Sequence, residues 1–157
     1  MKLVFLDVDG PLNNWETYQS ISDKSDYTHT SSDAVYDVYG GIAYIICPWM
    51  LNNLYDVLRA HSDVKLIGIS SWFRGGDKNC IGVQKFQELT GLVIDDVTND
   101  TGGGPTRFIC AQKYAESCGV DKYVIIDDLK YEHPKLVKIN REGLSREKAL
   151  EAIRMLE

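Results

Sequence analysis

A parallel β-sheet covered by helices on both faces is the architecture this chain encodes, and three observations carry that reading. Short apolar runs of strand length alternate with amphipathic stretches of helix length, the order that builds βα units. Three of those runs stop abruptly at carboxylates or hydroxyls: Leu3-Val4-Phe5-Leu6 before Asp7, Leu66-Ile67-Gly68-Ile69 before Ser70, and Val124-Ile125-Ile126 before Asp127. Near-continuous apolar strands belong to a sheet buried on both faces, and the carboxyl ends of such strands hold the ligands. At 157 residues the chain fits a single domain over residues 1–157, long enough to bury roughly 70% of its unfolded surface without staples.

The elements follow in order. Residues 1–8 read as the first buried strand. Residues 13–33, rich in Ser, Thr, Asn and Asp, read as a long polar excursion. Residues 34–39 and 42–47 flank Gly40-Gly41, the glycine pair of a tight hairpin. Pro48 suits the first turn of a helix to about His61, with Leu51, Leu54, Tyr55 and Leu58 on one face. Residues 64–69 form the second buried strand. Residues 81–90 are predicted helical and closed by Gly91, and residues 92–94 form a short strand. Pro105 opens a helix ending at Gly119. Residues 123–126 and 135–139 are the last two strands. Ser145 then caps a C-terminal helix that turns Ala149, Leu150, Ile153 and Leu156 inward. Right-handed crossovers order the five strands, numbered along the sheet's own sequence, as 5-4-1-2-3.

Composition removes several classes. Four cysteines without paired zinc-ligand spacing form neither a disulfide scaffold nor a zinc site, and read as buried thiols in a reducing cytoplasm. No apolar run reaches the ~18 residues of a membrane span, and Asp7 and Asp9 cut the first run too short for a signal peptide. The net charge of −6 excludes a generic lysine-coated nucleic-acid binder. Residues 1–50 hold two cations against seven carboxylates, so an anionic substrate needs basic groups from later in the chain, or a metal ion.

The chemistry concentrates at the strand ends. Asp7-Val8-Asp9-Gly10 sets two carboxylates on the same side of an extended chain. Adjacent anions repel, and burial without a partner pushes a pKa upward, which a divalent cation remedies. Asp127-Asp128 supplies the further oxygens that Mg²⁺ prefers. Ser70-Ser71 offers hydroxyls and backbone amides to phosphate oxygens. Arg74, Lys78, Arg107 and Lys113 are the available cations.

This set resembles the haloacid dehalogenase-like (HAD) phosphohydrolase superfamily, and in particular the small HAD domains of RNA-repair proteins and phage-type phosphatases. The motifs that carry the resemblance are Asp7-Val8-Asp9-Gly10-Pro11-Leu12-Asn13, then Ser70-Ser71-Trp72, a basic residue opening a helix, and Ile125-Ile126-Asp127-Asp128. The resemblance implies a Rossmann-like three-layer sandwich with a five-stranded parallel sheet and no large cap domain. It implies that Asp7 is a nucleophile taking the phosphoryl group and that Asp9 acts as acid and then base. It implies Mg²⁺ held by the Asp7 carboxylate, the Asp9 backbone carbonyl and Asp128, with Asp127 as second ligand or orienting group. Ser70, Ser71 and Arg107 would hold phosphate oxygens. Arg107 stands where the family offers a lysine, and Lys113 on the same predicted helix is the alternative.

Specificity is expected from the insert at residues 13–50, too short for a cap and strongly aromatic. Trp15, Tyr18, Tyr27, Tyr36, Tyr39, Tyr44 and Trp49 are seven of the twelve Trp and Tyr residues. Such rings either build the insert's own core or stack a base. The expectation is thus a Mg²⁺-dependent phosphomonoesterase acting on a nucleotide or a polynucleotide end, with Trp15 beside the leaving group. The alternatives are a small-metabolite phosphatase and a non-catalytic HAD-like or receiver-like module.

Overall fold

The computed structural model describes residues 1–14, 35–74 and 76–157, and only the backbone of Tyr36. Trp15, Tyr18 and Tyr27 lie outside the described residues, as does most of the predicted polar excursion.

Five strands form one all-parallel sheet: β1 (Lys2–Leu6), β4 (Val64–Gly68), β5 (Asp96–Val97), β6 (Tyr123–Asp127) and β7 (Leu136–Lys138). Across the sheet they run β5-β4-β1-β6-β7, the expected order read from its other edge. Strand β1 is central, pairing Leu6 with Gly68 of β4 and with Ile126 of β6. A second, two-stranded sheet joins β2 (Val35–Tyr39) to β3 (Ile42–Ile46). Its turn is the predicted Gly40-Gly41, with φ of 58° and 77°. Positive φ at both central residues is the requirement of a type I′ hairpin, and two glycines meet it without a side-chain clash.

The helices are α1 (Pro48–Arg59), α2 (Ile81–Thr90), α3 (Thr106–Ser117) and α4 (Arg146–Met155). Side chains alternate along β1 and so divide the interior into two layers. Val4 and Leu6 face a layer with Met50 and Leu54 of α1, Phe86 of α2 and Ala152 of α4. Leu3 and Phe5 face the other, with Phe108, Ala111 and Ala115 of α3. The hairpin docks on α2, where Lys85 pairs with Asp37 of β2 and lies over the Tyr39 ring.

Three sequence expectations need correction. Residues 92–94 are not a strand, and β5 begins two residues later. The Asp95 carboxylate accepts from the Leu66 amide of β4, and the Gln87 side-chain oxygen accepts from the Ile94 amide. Those side chains take up backbone groups that a ladder would pair; the Asp95 amide makes the first main-chain bond to β4, at the Leu66 carbonyl, and the paired register starts at Asp96. In α4, Leu150 is 41% exposed while Ala152 is buried. The buried stripe runs Ala149, Ala152, Leu156, with Ile153 partly buried and packed against it as expected. Of the cysteines only Cys47 is buried, and Cys118 is exposed. Among the described residues no helix is long and apolar enough to cross a membrane.

Candidate active site

Parallel pairing aligns the ends of β1, β4 and β6, because each ladder continues one step into the loop. The Asp7 amide donates to the Ile126 carbonyl and the Ile69 amide to the Leu6 carbonyl. Asp7, Ser70, Asp127 and Asp128 therefore emerge on one edge. Oxygens of Asp7, Asp127 and Asp128 lie within 4.8 Å of one another. Asp7 and Asp127 are buried, at 5% and 0% exposure, while Asp128 is exposed.

Arg107, the first-turn residue of α3, enters this cluster from below. Its Nη1 stands 2.9 Å from Oδ2 of Asp127 and 3.3 Å from Oδ1 of Asp7. Nε and Nη2 donate to the carbonyls of Gly102 and Thr101. A buried guanidinium between two buried carboxylates replaces part of the hydration they have lost. Arg107 is thus engaged with carboxylates and main chain, whereas Lys113 on the same helix is exposed.

One guanidinium does not neutralise three carboxylates. Burial first, and then repulsion from Asp127, holds the Asp7 carboxyl well above the usual carboxylate range, with Arg107 opposing. The Asp128 carboxyl is raised too, again by desolvation and then by Asp127. This leftover negative charge, on oxygens close enough to share one ion, fits a hard cation whose ~2.1 Å bonds require near neighbours. Both oxygens of Asp127 already accept hydrogen bonds, from Arg107 and from the Leu129 amide. Asp7 and Asp128 are therefore the more available carboxylate ligands, and Asp127 orients Arg107.

Asp9 leaves this trio and turns into a different environment. Its Oδ1 accepts from Nε1 of Trp72 at 2.9 Å and from Nδ2 of Asn13 at 3.0 Å. Asn13 is 1% exposed and also donates to the Ile45 carbonyl of β3, while its own oxygen accepts from the Gly10 amide. Asn13 thus closes the turn Asp9–Asn13 and ties it to the hairpin. Gly10 sits at φ 106°, and a Cβ there would lie 2.4 Å from Oδ2 of Asp128. Only glycine lets the two loops approach so closely.

Ser70 is fully buried, and its hydroxyl accepts from the Trp72 amide. It caps the short 3₁₀ turn Ser71–Phe73, and Ser71 is exposed at the start of that turn. A small cleft of about 210 Å³ opens between this turn, the hairpin and α2, with Asp9, Tyr44, Trp72 and Arg74 among its walls.

Sequence reasoning thus named Asp7, Asp9, Ser70, Ser71, Arg107, Asp127 and Asp128, and the fold gathers all seven at one edge. It missed the work of Trp72 and Asn13. Both stood inside quoted motifs, but nothing in the spacing of a Trp 63 residues from Asp9 announces a hydrogen bond.

The comparison with family models decides the relationship. The model for the HAD domain in Swiss Army Knife RNA repair proteins matches residues 3–149. The chain belongs to that family. No curated protein and no solved structure gives a significant match. Membership makes this HAD domain a HAD-type hydrolase of the RNA-repair group, and the family's general use of Mg²⁺ agrees with the acidic trio at its sheet edge.

Proposed function

We propose that the chain is a Mg²⁺-dependent phosphomonoesterase that works through an aspartyl-phosphate and removes a terminal phosphate from a nucleotide or nucleic-acid end. The observation that carries this reading is the division of labour between two aspartates two residues apart. Asp7 is buried among carboxylates and a guanidinium, while Asp9 is aimed elsewhere by Trp72 and Asn13.

In this reading an oxygen of Asp7 attacks phosphorus, and the leaving oxygen takes a proton from Asp9 as its bond to phosphorus breaks. Asp9, now a carboxylate, takes a proton from water as that water attacks the phosphorus of the acyl phosphate. Inorganic phosphate leaves and both carboxyl groups return to their starting forms. Mg²⁺ held by Asp7 and Asp128 would screen an anionic nucleophile from an anionic substrate. Arg107 keeps Asp7 and Asp127 in register, and Ser70 and Ser71 would face the phosphate oxygens. The cleft beside Asp9 takes the leaving group, and its Tyr44 and Trp72 walls suit a nucleoside. Cys80, Cys110 and Cys118, accessible to some degree and without disulfides, favour a reducing cytoplasmic setting.

A phosphate-release panel with Mg²⁺ tests the proposal, covering 3′- and 5′-mononucleotides, 3′- and 5′-phosphorylated oligonucleotides, sugar phosphates and phosphopeptides. Turnover is expected on nucleotide or oligonucleotide phosphates. Release confined to sugar phosphates or phosphopeptides, or none from any substrate, would overturn it.

A further inference from the structure

On the β6–β7 side of the acidic trio two hollows lie next to each other, with Lys130 and Lys138 lining both, and together they make a groove of two parts. The inner part, about 420 Å³, starts at Gly10 and Asp128 and carries Arg141. The outer part, about 760 Å³, runs on past Tyr131 and His133. Three cations line the groove, against Asp128, which belongs to the trio, and Glu132. In a chain of net charge −6 this is a local reversal of sign, and it begins at the catalytic edge.

The cations differ in how they are held. Lys138 donates to the carbonyls of Asp128 and Leu129, which fixes its charge against the loop that bears Asp128. Lys130 and Arg141 are exposed. Tyr131 is 41% exposed and presents a ring in the outer part. His133 is spoken for: Nδ1 accepts from the Lys135 amide, and Nε2 faces the Gln112 side-chain oxygen. Basic groups that follow a channel, interleaved with an aromatic face, are what an unpaired polynucleotide strand requires.

We propose that this groove is the track of a single-stranded polynucleotide whose terminal phosphate sits at Asp7, with Lys130, Lys138 and Arg141 facing backbone phosphates and Tyr131 stacking a base. The inference rests on the phosphomonoesterase reading and narrows its substrate to a polynucleotide end. A free nucleotide fills neither part of the groove and leaves Lys130 and Arg141 without a charge to meet. A strand carries its terminal phosphate to Asp7 and its terminal nucleoside to the cleft beside Asp9, and its next phosphates pass Gly10, the residue after Asp9, into the groove.

Two measurements on the full chain test it, using the Lys130→Ala/Arg141→Ala double variant and sparing Lys138 because it holds the Asp128 loop. The first is fluorescence anisotropy of a labelled, unphosphorylated eight-nucleotide single-stranded RNA over a salt titration. The variant is expected to bind about tenfold more weakly, and its log K against log salt slope to fall by about 1.4, two phosphate contacts at ~0.7 each. The second is phosphate release from phosphorylated oligomers of one, two, four and eight nucleotides. In the wild type kcat/KM should rise with length. In the variant that rise should vanish, while mononucleotide turnover stays as in the wild type. RNA binding that is undetectable or equal in both proteins, or a kcat/KM independent of length, would overturn the groove. So would a phosphopeptide whose binding depends on Lys130 and Arg141 as strongly as the RNA's does. Groove-dependent RNA binding without phosphate release from any substrate would support the track and sink the phosphatase reading instead.

Discussion

Trp72 donates its indole N–H to Oδ1 of Asp9 at 2.9 Å, joining the turn after β4 to the loop after β1. The indole is itself held edge-on against Tyr44, with ring centroids 5.0 Å apart. The main-chain amide of Trp72 is bound by Ser70. Ser70, Trp72, Tyr44 and Asn13 thus converge on one carboxyl group, and in the proposed mechanism they fix where Asp9 presents its proton.

Trp72→Phe keeps a ring against Tyr44 and deletes only the donor. A hydrogen bond to a charged group is worth ~1.5–3 kcal/mol, so kcat should fall by about ten- to a hundredfold with KM within a few-fold of wild type. The loss should be larger for a nucleotide, whose alkoxide leaving group needs a proton, than for para-nitrophenyl phosphate, whose phenolate does not. Equal losses on both substrates, measured by steady-state phosphate release, would show that Trp72 supports the fold and not the acid.

Arg107 separates charge from geometry. Arg107→Ala leaves Asp7 and Asp127 buried without their cation, a change expected to cost about 3–5 kcal/mol. For a chain of this size that is on the order of 10 °C in Tm. Added Mg²⁺ should recover more of the melting temperature in Arg107→Ala than in the wild type, because the ion meets more unneutralised charge there. Arg107→Lys restores a charge but not the fork that also binds the Gly102 and Thr101 carbonyls. It should fall between the two in thermal melts. A melting temperature for Arg107→Ala within 2 °C of wild type in chelator would contradict the buried network.

What was legible in the sequence, and what was not, follows from the range of each interaction. The apolar runs, the Gly40-Gly41 turn, the Ser145 cap and the Gly91 stop are set by residues within a few positions of one another, and they stand where expected. The strand order followed because crossover handedness leaves few choices. Residues 92–94 misled because the Asp95 and Gln87 side chains bind backbone that a strand would have paired. The carboxylate trio was legible because strand ends must share an edge. The Asp9 clamp was not, since a donor 63 residues away acts only once the sheet exists.

Gly10→Ala tests the approach of the two loops. The added Cβ meets Asp128 Oδ2 at 2.4 Å, and the backbone stays at φ 106°. Asp128 must move, so the Mg²⁺ concentration for half-maximal activity should rise by about tenfold or more. Gly41→Ala is the matched control: its φ is 77°, but nothing lies within 4 Å of the new methyl. It should lower Tm through backbone strain while leaving the Mg²⁺ requirement unchanged. A shift of the same size in both variants would mean that strain, and not the crowding of Asp128, is responsible.

Asp7→Asn addresses the proposed nucleophile and the electrostatics together. An amide cannot attack phosphorus, so phosphate release should drop by more than ~10³-fold. Stability should move the other way, and its pH dependence has a definite sign. Burial, then Asp127, raises the Asp7 carboxyl in the folded chain above its unfolded value. Between those two values the native protein holds a proton that the unfolded chain has released. By linkage, stability then falls as pH rises through that window. It is fully present below the unfolded carboxylate range, near pH 4, and is lost as pH climbs through the raised native value. The amide removes this slope. In chelator, the variant should melt close to the wild type at about pH 4 and above it at neutral pH, by about 2–4 °C for each ~1 kcal/mol of relieved repulsion. Mg²⁺ should narrow the gap by supplying the wild type with the missing positive charge. A Tm difference that stays constant from pH 4 to 8, in melts with and without Mg²⁺, would show that the Asp7 carboxylate is already neutralised in the metal-free protein.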